Sequence, residues 1–410
     1  MFPTSVIRRL APSEEMFAQS QTFVGATVQL NGLVDSAAMS AAFDVLLQAH
    51  PVLAGHLETG PDGLHHIVVD DFLHPGIWTG TTRMRLDQTA ALGNLRLVIG
   101  DGHAEVTLYT HHSLADAQHQ FRLLEELFSF YTDLVCNGDT GPVSVERAPE
   151  PLEAVLKERG VRKQQRSGLE RLMDVMFAYE LPPSPRNAAG GNPTVPEQVP
   201  VARCLLSEDE TADLTTFCRD NRLSVHAAVS AAILLAEWQF RKTPNIPIPY
   251  LYPVDLRLLV SPPVDATAST NPLGVATYLA KIRPDTDLVD LATDIVQTLR
   301  SDLSDGIIQQ SLLHFELKYQ GSPDGLPDIV MATDGGTIPA LPTPPDVEVA
   351  GIYTDLFTAS SAGVDLYAFS VFSGQLHIEH HAHAPAPDGT IDTIQSLLCS
   401  IGSEGDWMVE

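Results

Sequence analysis

The sequence predicts an α/β (α+β) protein built of two domains joined by a proline-rich linker. Its 410 residues are too many for one small module. With 44% hydrophobic residues, the chain can form large cores. Residues 181–200 carry six prolines and two adjacent glycines, which neither a helix nor a central strand accommodates. We therefore expect an N-terminal domain at 1–180, a crossover linker at 181–200 and a C-terminal domain at 201–410.

Strand and helix patterns alternate in the first half. Residues 22–30, 64–69 and 104–110 have the alternation or β-branched content of strands. One helix is expected to begin after Asp35, a good N-cap, and to end at Pro51. A longer helix is expected after Asp116, because apolar side chains recur every three or four residues from 117 to 135. Residues 157–179 are also predicted to be helical.

The second half repeats this alternation. Predicted strands are 201–206, 246–252, 329–333 and a pair within 366–380; predicted helices begin at the capping box of Ser207 and Glu210, at 224 and at 287. The helix at 224–240 is so apolar that we expect it to be buried. Two halves of similar size favour a functional site in the cleft between them.

Composition excludes several classes of function. The 24 Lys and Arg against 52 Asp and Glu give a net charge of −28, which repels nucleic acids and anionic membranes. The four cysteines are widely spaced and form no C-x-x-C motif, so neither a disulfide framework nor a zinc finger is indicated. No apolar run is long enough for a membrane span or a signal peptide. We expect a monomeric, cytoplasmic protein with no transmembrane segment and no nucleic-acid partner.

Two segments have the form HHxxxD, residues 111–116 and residues 65–70. In the second, the intervening Ile-Val-Val keeps the chain extended, so His66 and Asp70 would lie about 13 Å apart. The first segment lies where a predicted strand meets a predicted helix. A tight loop there can turn the histidine into a cleft and the aspartate back into the protein, so the sequence favours His112 over His66.

A third cluster of histidines lies near the C-terminus. On a strand, four side chains would share one face, namely His377, Glu379, His381 and His383. One interpretation of this pattern is a metal site. The alternative, a solvated edge strand, is favoured because no matching ligand motif occurs elsewhere. No G-x-S-x-G motif indicates a serine nucleophile.

Residues 157–171 hold six basic and two acidic residues, an exception in this acidic chain. They are either the solvated face of an amphipathic helix or a docking patch for an acidic partner.

Several segments carry a family resemblance: HHSLADA after a strand, LLQAHPVLAGHLE, and YPVDLR followed by Asn271-Pro272-Leu273-Gly274. These resemble the HHxxxD acyltransferase superfamily, which includes chloramphenicol acetyltransferase and the condensation domains of peptide synthetases. With MFPTSVIRRL, AAILLAEWQF and IIQQSLLHF, essentially the whole chain resembles the polyketide-associated acyltransferases, the phthiocerol/phthiodiolone dimycocerosyl transferases.

The resemblance implies two chloramphenicol-acetyltransferase-like domains, each a mixed sheet with flanking helices, with an active-site channel at their interface. It implies transfer of mycocerosyl chains from the acyl carrier domain of a mycocerosic acid synthase to the two hydroxyls of phthiocerol, phthiodiolone or phenolphthiocerol. The donor's phosphopantetheine arm, or CoA, would be a substrate, with no bound cofactor and no metal.

The resemblance also implies roles for individual residues. His112 would be the general base, and Asp116 would order the loop as the salt-bridge partner of Arg257. His111, Asn271 and Gly274 would be motif neighbours. Because acyl carrier domains are acidic, the docking candidates are basic residues, namely Arg162, Lys163, Arg222 and Arg300. Two other functions stay open: a condensation-type amide synthase, and a catalytically idle carrier-binding module, against which the intact motif argues.

Overall fold

The computed structural model describes residues 5–69, 74–81, 84–179, 194–241, 243–315, 329–360, 364–384 and 389–402. Asp70 and residues 181–193 of the predicted linker lie outside the described residues. The strands are β1 (Ser5–Arg9), β2 (Phe23–Gly32), β3 (His56–Thr59), β4 (His65–Val69), β5 (Ile77–Thr79), β6 (Gly93–Ile99), β7 (His103–His111), β8 (Glu197–Gln198), β9 (Val201–Leu205), β10 (Ile248–Asp255), β11 (Leu273–Ala280), β12 (Val330–Thr337), β13 (Val347–Thr358), β14 (Asp365–Phe372) and β15 (Gln375–Ala382). The helices are α1 (Pro12–Gln19), α2 (Ser36–Ala49), α3 (Ala117–Asn137), α4 (Leu152–Glu158), α5 (Glu170–Ala178), α6 (Glu208–Asp220), α7 (Val225–Phe240), α8 (Leu288–Ser304), α9 (Ile307–Gln310) and α10 (Thr390–Cys399).

Two six-stranded sheets form the frame of the molecule, with strand orders β5-β6-β7-β2-β13-β8 and β11-β10-β12-β14-β15-β9. Both are mixed, since each combines parallel and antiparallel pairs. Strands β1, β4 and β3 form a small third sheet. Two mixed sheets with flanking helices are the architecture that the family resemblance implies.

The two halves of the chain exchange segments. Strand β13, which the sequence patterns did not reveal, lies antiparallel to β2 from Phe357 opposite Phe23 to Val347 opposite Gly32, and so completes the first sheet. Conversely, apolar side chains of α4 pack in the core of the second half. The sequence pattern of a strand does not identify the strand with which it pairs. A division of the chain at 181–200 therefore could not include this exchange of segments.

Each sheet has its own apolar core. Helices α2 and α3 pack together over the first sheet, and most residues of α7 are buried in the second core, as the sequence predicts. Among the described residues, no single helix is long and apolar enough to cross a membrane. Helices α6 and α7 together meet that criterion by length and composition, but they are bent by 104°.

The predicted helix at 157–179 is wrong in its middle. Helix α4 ends at Glu158, and α5 begins only at Glu170. Gly160 and Gly168 have φ angles of +70° and +84°, left-handed conformations that interrupt a helix and favour glycine.

Candidate active site

The HHxxxD segment forms the tight connection between β7 and α3. Asp116 is the N-cap of α3, and its side chain accepts a hydrogen bond from the backbone N–H of His119 at 3.0 Å. Aspartate suits this position because its carboxylate accepts a free N–H of the first turn and is favoured by the helix dipole. The aspartate thus fixes the start of the helix and the end of the loop.

Asp116 also joins the two halves of the molecule. Its Oδ2 and Oδ1 accept from the two terminal nitrogens of Arg257, at 2.7 and 2.8 Å, and both side chains are buried. Arg257 follows β10 and donates as well to the carbonyl of Ala266 and to Asp255. The ion pair between Asp116 and Arg257 that the family resemblance implied is therefore present.

His112 is half-buried at the beginning of the loop. Its Nδ1 lies 3.0 Å from the carbonyl oxygen of Ala115. Because a carbonyl only accepts, Nδ1 carries the proton in the neutral ring, and Nε2 keeps its lone pair. Burial lowers the pKa of His112, and this effect outweighs the Ala115 carbonyl and the Asp116 carboxylate, which raise it. The imidazole is consequently neutral near pH 7, as a general base must be.

His111 has a different environment from its neighbour. It is fully buried, and its Nε2 and Nδ1 contact Gln88 Oε1 at 2.9 Å and Ser113 Oγ at 2.7 Å. Burial lowers its pKa to about 3, so it stays neutral. With both ring nitrogens occupied, His111 supports the loop from inside the protein.

The two other motif neighbours come from the second half of the chain. Asn271 Nδ2 donates to the backbone carbonyl of His112 at 2.8 Å. At Gly274 in β11, a Cβ atom would lie 2.3 Å from the carbonyl oxygen of Ile308 in α9. Only glycine permits this close approach, so Gly274 acts through packing, while Asn271 contacts the HHxxxD loop directly.

The second HHxxxD segment makes different contacts. His65 Nδ1 is 2.6 Å from Glu15 Oε1. His66 lies in β4, opposite Glu58 in β3 and Arg9 in β1. These contacts place both histidines in the small third sheet.

The C-terminal histidines do not lie on a solvated edge strand, so that prediction is wrong. Strand β15 pairs with β14 on one side and β9 on the other. Glu379 is buried and binds Arg203 at 2.8 Å, while His380 binds Asp365 at 2.7 Å and stacks on Tyr367. Within the described ranges, no group of three or more His, Cys, Asp or Glu side chains could hold a metal ion.

The basic residues of 157–171 have different environments. Arg171 is partly buried and pairs with the buried Asp302 of α8, at 2.5 and 2.7 Å. Arg162 and Lys163 are exposed in the segment between α4 and α5. That segment is held against α9, because Gln310 accepts from the backbone N–H of Gln164 and donates to the carbonyl of Arg166. The other docking candidates, Arg222 and Arg300, are also exposed.

Sequence reasoning missed one element of the site, helix α1. The ring of Phe17 lies against the imidazole of His112, with 4.1 Å between ring centroids and 31° between planes. A signal was present: Pro12 followed by Glu14 and Glu15 is a typical first turn of a helix.

The site has a half-buried, neutral histidine after a strand. The aspartate of its motif caps the next helix and pairs with an arginine of the other half. This arrangement defines a two-domain HHxxxD acyltransferase. Residues 195–381 match the family model described as Phthiocerol/phthiodiolone dimycocerosyl transferase C-terminus. The phthiocerol/phthiodiolone dimycocerosyl transferase of Mycobacterium tuberculosis is 50% identical over 422 residues, covering 100% of both chains. That of Mycobacterium leprae is 49% identical over 423 residues, again covering 100% of both. The chain belongs to this family of acyltransferases.

Solved structures show the same architecture. The structure of polyketide synthase associated protein 5 from Mycobacterium tuberculosis matches with a TM-score of 0.91 at 50% identity, over 98% of this chain and 100% of that one. A trichothecene 15-O-acetyltransferase from Fusarium sporotrichioides matches with a TM-score of 0.72 at 12% identity, over 97% and 95% of the chains. The first condensation domain of the calcium-dependent antibiotic synthetase matches with a TM-score of 0.65 at 14% identity, over 98% of each chain. The fold expected from the resemblance is thereby confirmed.

Proposed function

We propose that this protein transfers mycocerosyl chains from a thioester to the two hydroxyls of a phthiocerol-type diol and so forms a diester. The observation that carries the proposal is the full-length similarity to transferases of that name, at 50% identity. The half-buried His112, with its proton on Nδ1 and its lone pair on Nε2, supplies the chemistry that such a transfer needs.

The proposed reaction is a direct transfer without an acyl-enzyme. Nε2 of His112 takes the proton of the acceptor hydroxyl as the oxygen attacks the thioester carbonyl carbon. The tetrahedral intermediate then collapses, the carbon–sulfur bond breaks, and the imidazolium returns the proton to the leaving thiolate. Because a thioester is already activated and a thiolate leaves readily, no serine or cysteine relay is required.

Asp116 and Arg257 hold the loop in this scheme and do not touch the reacting atoms. Oδ1 of Asp116 accepts from both the His119 N–H and Arg257, and Oδ2 accepts from Arg257. Both carboxylate oxygens are thus occupied by the protein itself. Asp116 is therefore a positioning residue, which holds the loop in the conformation that places His112.

The donor in this proposal is the phosphopantetheine thioester of an acidic carrier domain on a mycocerosic-acid-synthase-like polyketide synthase. The exposed Arg162 and Lys163 offer it positive charge on a protein whose net charge is −28. The segment that carries them is hydrogen-bonded to α9, and α9 packs on Gly274 of β11. The docking surface would therefore be connected to the active site through packed elements. The four cysteines are free, which suits a reducing compartment; the protein would act in the cytoplasm, as a monomer.

Incubation of the purified protein with an acyl-CoA and 1-octanol, followed by detection of ester, tests the proposed chemistry. Ester that depends on the protein supports the proposal, and its absence at every chain length would contradict it. Parallel reactions with a long-chain diol and a long-chain amine separate it from the condensation-type alternative. Amide formed in preference to ester would favour that alternative, and neither product with any thioester would favour an idle carrier-binding module.

A further inference from the structure

The loop of His112 is contacted from two sides by elements that are remote in sequence. On one side, Phe17 of α1 packs on the imidazole, and the carbonyl of Thr22, just beyond this helix, accepts from the backbone N–H of His112 at 2.8 Å. On the other side, Asn271 donates to the His112 carbonyl, and the carbonyl of Thr270 accepts from the N–H of Asp116 at 3.0 Å. The orientation of the imidazole therefore depends on how α1 sits relative to residues 270–271.

One side chain connects these two elements. Glu14 of α1 has no solvent exposure, and its Oε1 accepts from the hydroxyl of Thr270 at 2.8 Å. The same carboxylate accepts from both terminal nitrogens of Arg8, at 2.7 and 2.8 Å, and from the N–H of Ala11 at 2.9 Å. Four hydrogen bonds hold the carboxylate in one place, so the bond to Thr270 is a fixed link between α1 and the second half of the chain.

We propose that Glu14 is a positioning residue for the transfer reaction, which through Thr270 keeps Phe17 against the imidazole of His112 and Asn271 against its backbone carbonyl. The proposal rests on the proposed role of His112 as general base. Loss of the link would let α1 shift, uncover the imidazole and misplace Nε2 relative to the acceptor hydroxyl. Small displacements of a reacting group cost one to two orders of magnitude in rate.

Loosening this link should also change the pKa of His112, which would not happen if Glu14 only stabilised the fold. Burial is the main reason that the pKa of His112 is low. The titratable groups acting on it are Asp116, whose charge raises the pKa, and the neutral His111 beside it. If Phe17 moves away, water reaches the ring and the pKa rises. The acid limb of the rate profile then moves to higher pH, because the base must be deprotonated.

The test uses Thr270→Val, which removes the hydroxyl but keeps the size and the backbone carbonyl that binds Asp116. We expect kcat for acyl-CoA and 1-octanol to fall about tenfold with little change in KM, and the acid limb of kcat/KM to move to higher pH. Thr270→Ser retains a hydroxyl and should restore the rate to within about twofold. Glu14→Gln should show the larger loss.

Glu15→Gln is the matched control, because Glu15 is the next residue, is also buried, and binds His65 in place of Thr270. It should lower the melting temperature but leave kcat and the pH profile unchanged. Unchanged kcat and pH profile in Thr270→Val, or the same rate loss in Glu15→Gln, would overturn the proposal. A fully active His112→Ala protein in the same assay would instead contradict the proposed function.

Discussion

The backbone carbonyl of Ala115 accepts a hydrogen bond from Nδ1 of His112 at 3.0 Å, so the loop fixes the tautomer of its own histidine. This contact needs a turn that returns to the ring within three residues. The turn persists because Asp116, the next residue, caps α3 and is bound by Arg257. The chemistry of His112 and the stability of the ion pair are consequently linked.

Asp116→Asn should act mainly through stability. The substitution leaves the buried Arg257 with only the more exposed Asp255 as a charged partner, and breaking a buried pair in this way costs up to about 3–5 kcal/mol. We expect a lower free energy of unfolding in denaturant titrations and a poor soluble yield, and Arg257→Ala should behave similarly. An Asp116→Asn protein as stable as the parent but without activity would make Asp116 a direct participant in proton transfer.

Acid should destabilise the protein through its buried histidines. Burial lowers the pKa of His111 and of His119 to about 3, whereas unfolded histidine titrates near its ordinary pKa. Between about pH 3 and pH 6.5 the unfolded state binds more protons, so the free energy of unfolding falls as pH decreases, by up to about 1.4 kcal/mol per pH unit for each histidine. Urea titrations across this window check the slope. It should be smaller in His111→Gln, and an identical slope would contradict the assignment.

Gly274→Ala should lower stability by forcing α9 away from β11. The new Cβ would lie 2.3 Å from the carbonyl of Ile308, an overpacking that typically costs about 1–3 kcal/mol. Gly351→Ala in β13 is the control, because its Cβ would meet only a side-chain oxygen of Gln29 at 3.4 Å. Thermal unfolding compares the two, and equal effects would show that the close approach is unimportant.

Charge reversal at the proposed docking surface should lower the transfer rate from one kind of donor and not from another. Arg162→Glu with Lys163→Glu should slow transfer from a carrier-bound thioester but not from a small uncharged thioester, because only the carrier domain presents an acidic surface to these residues. Arg222→Glu and Arg300→Glu test the other two candidate positions by the same comparison. The docking hypothesis fails if none of these reversals changes the carrier-dependent rate.

The site could be predicted from sequence where local geometry decides it. The strand before His112, the helix after Asp116 and the short loop between them distinguish this histidine from His66. Arg257 is 141 positions from Asp116 and has no local signal linking it to that residue. Their pairing followed only from the family resemblance. The contact of Phe17 with His112 could not be predicted, because the two residues are 95 positions apart and no local pattern links them.

The fold could be predicted where one segment decides its own structure. The apolar helix α7 was identified as buried from its composition alone. The placement of β13 in the first sheet could not be predicted, because hydrogen-bond partners across about 320 positions leave no pattern in either strand. The interior position of β15, which carries the C-terminal histidines, could not be predicted for the same reason, since its neighbour β9 is far away in sequence.

The most direct test of the central claim compares ester formation from acyl-CoA and 1-octanol by His112→Ala and His66→Ala, with circular dichroism to verify folding. His112→Ala should fold and lose about 10²–10⁴-fold in rate, the usual cost of removing a general base. His66→Ala should fold and keep nearly the full rate. A folded His112→Ala protein with near-normal turnover, or a folded but inactive His66→Ala protein, would contradict the assignment of His112 as the base.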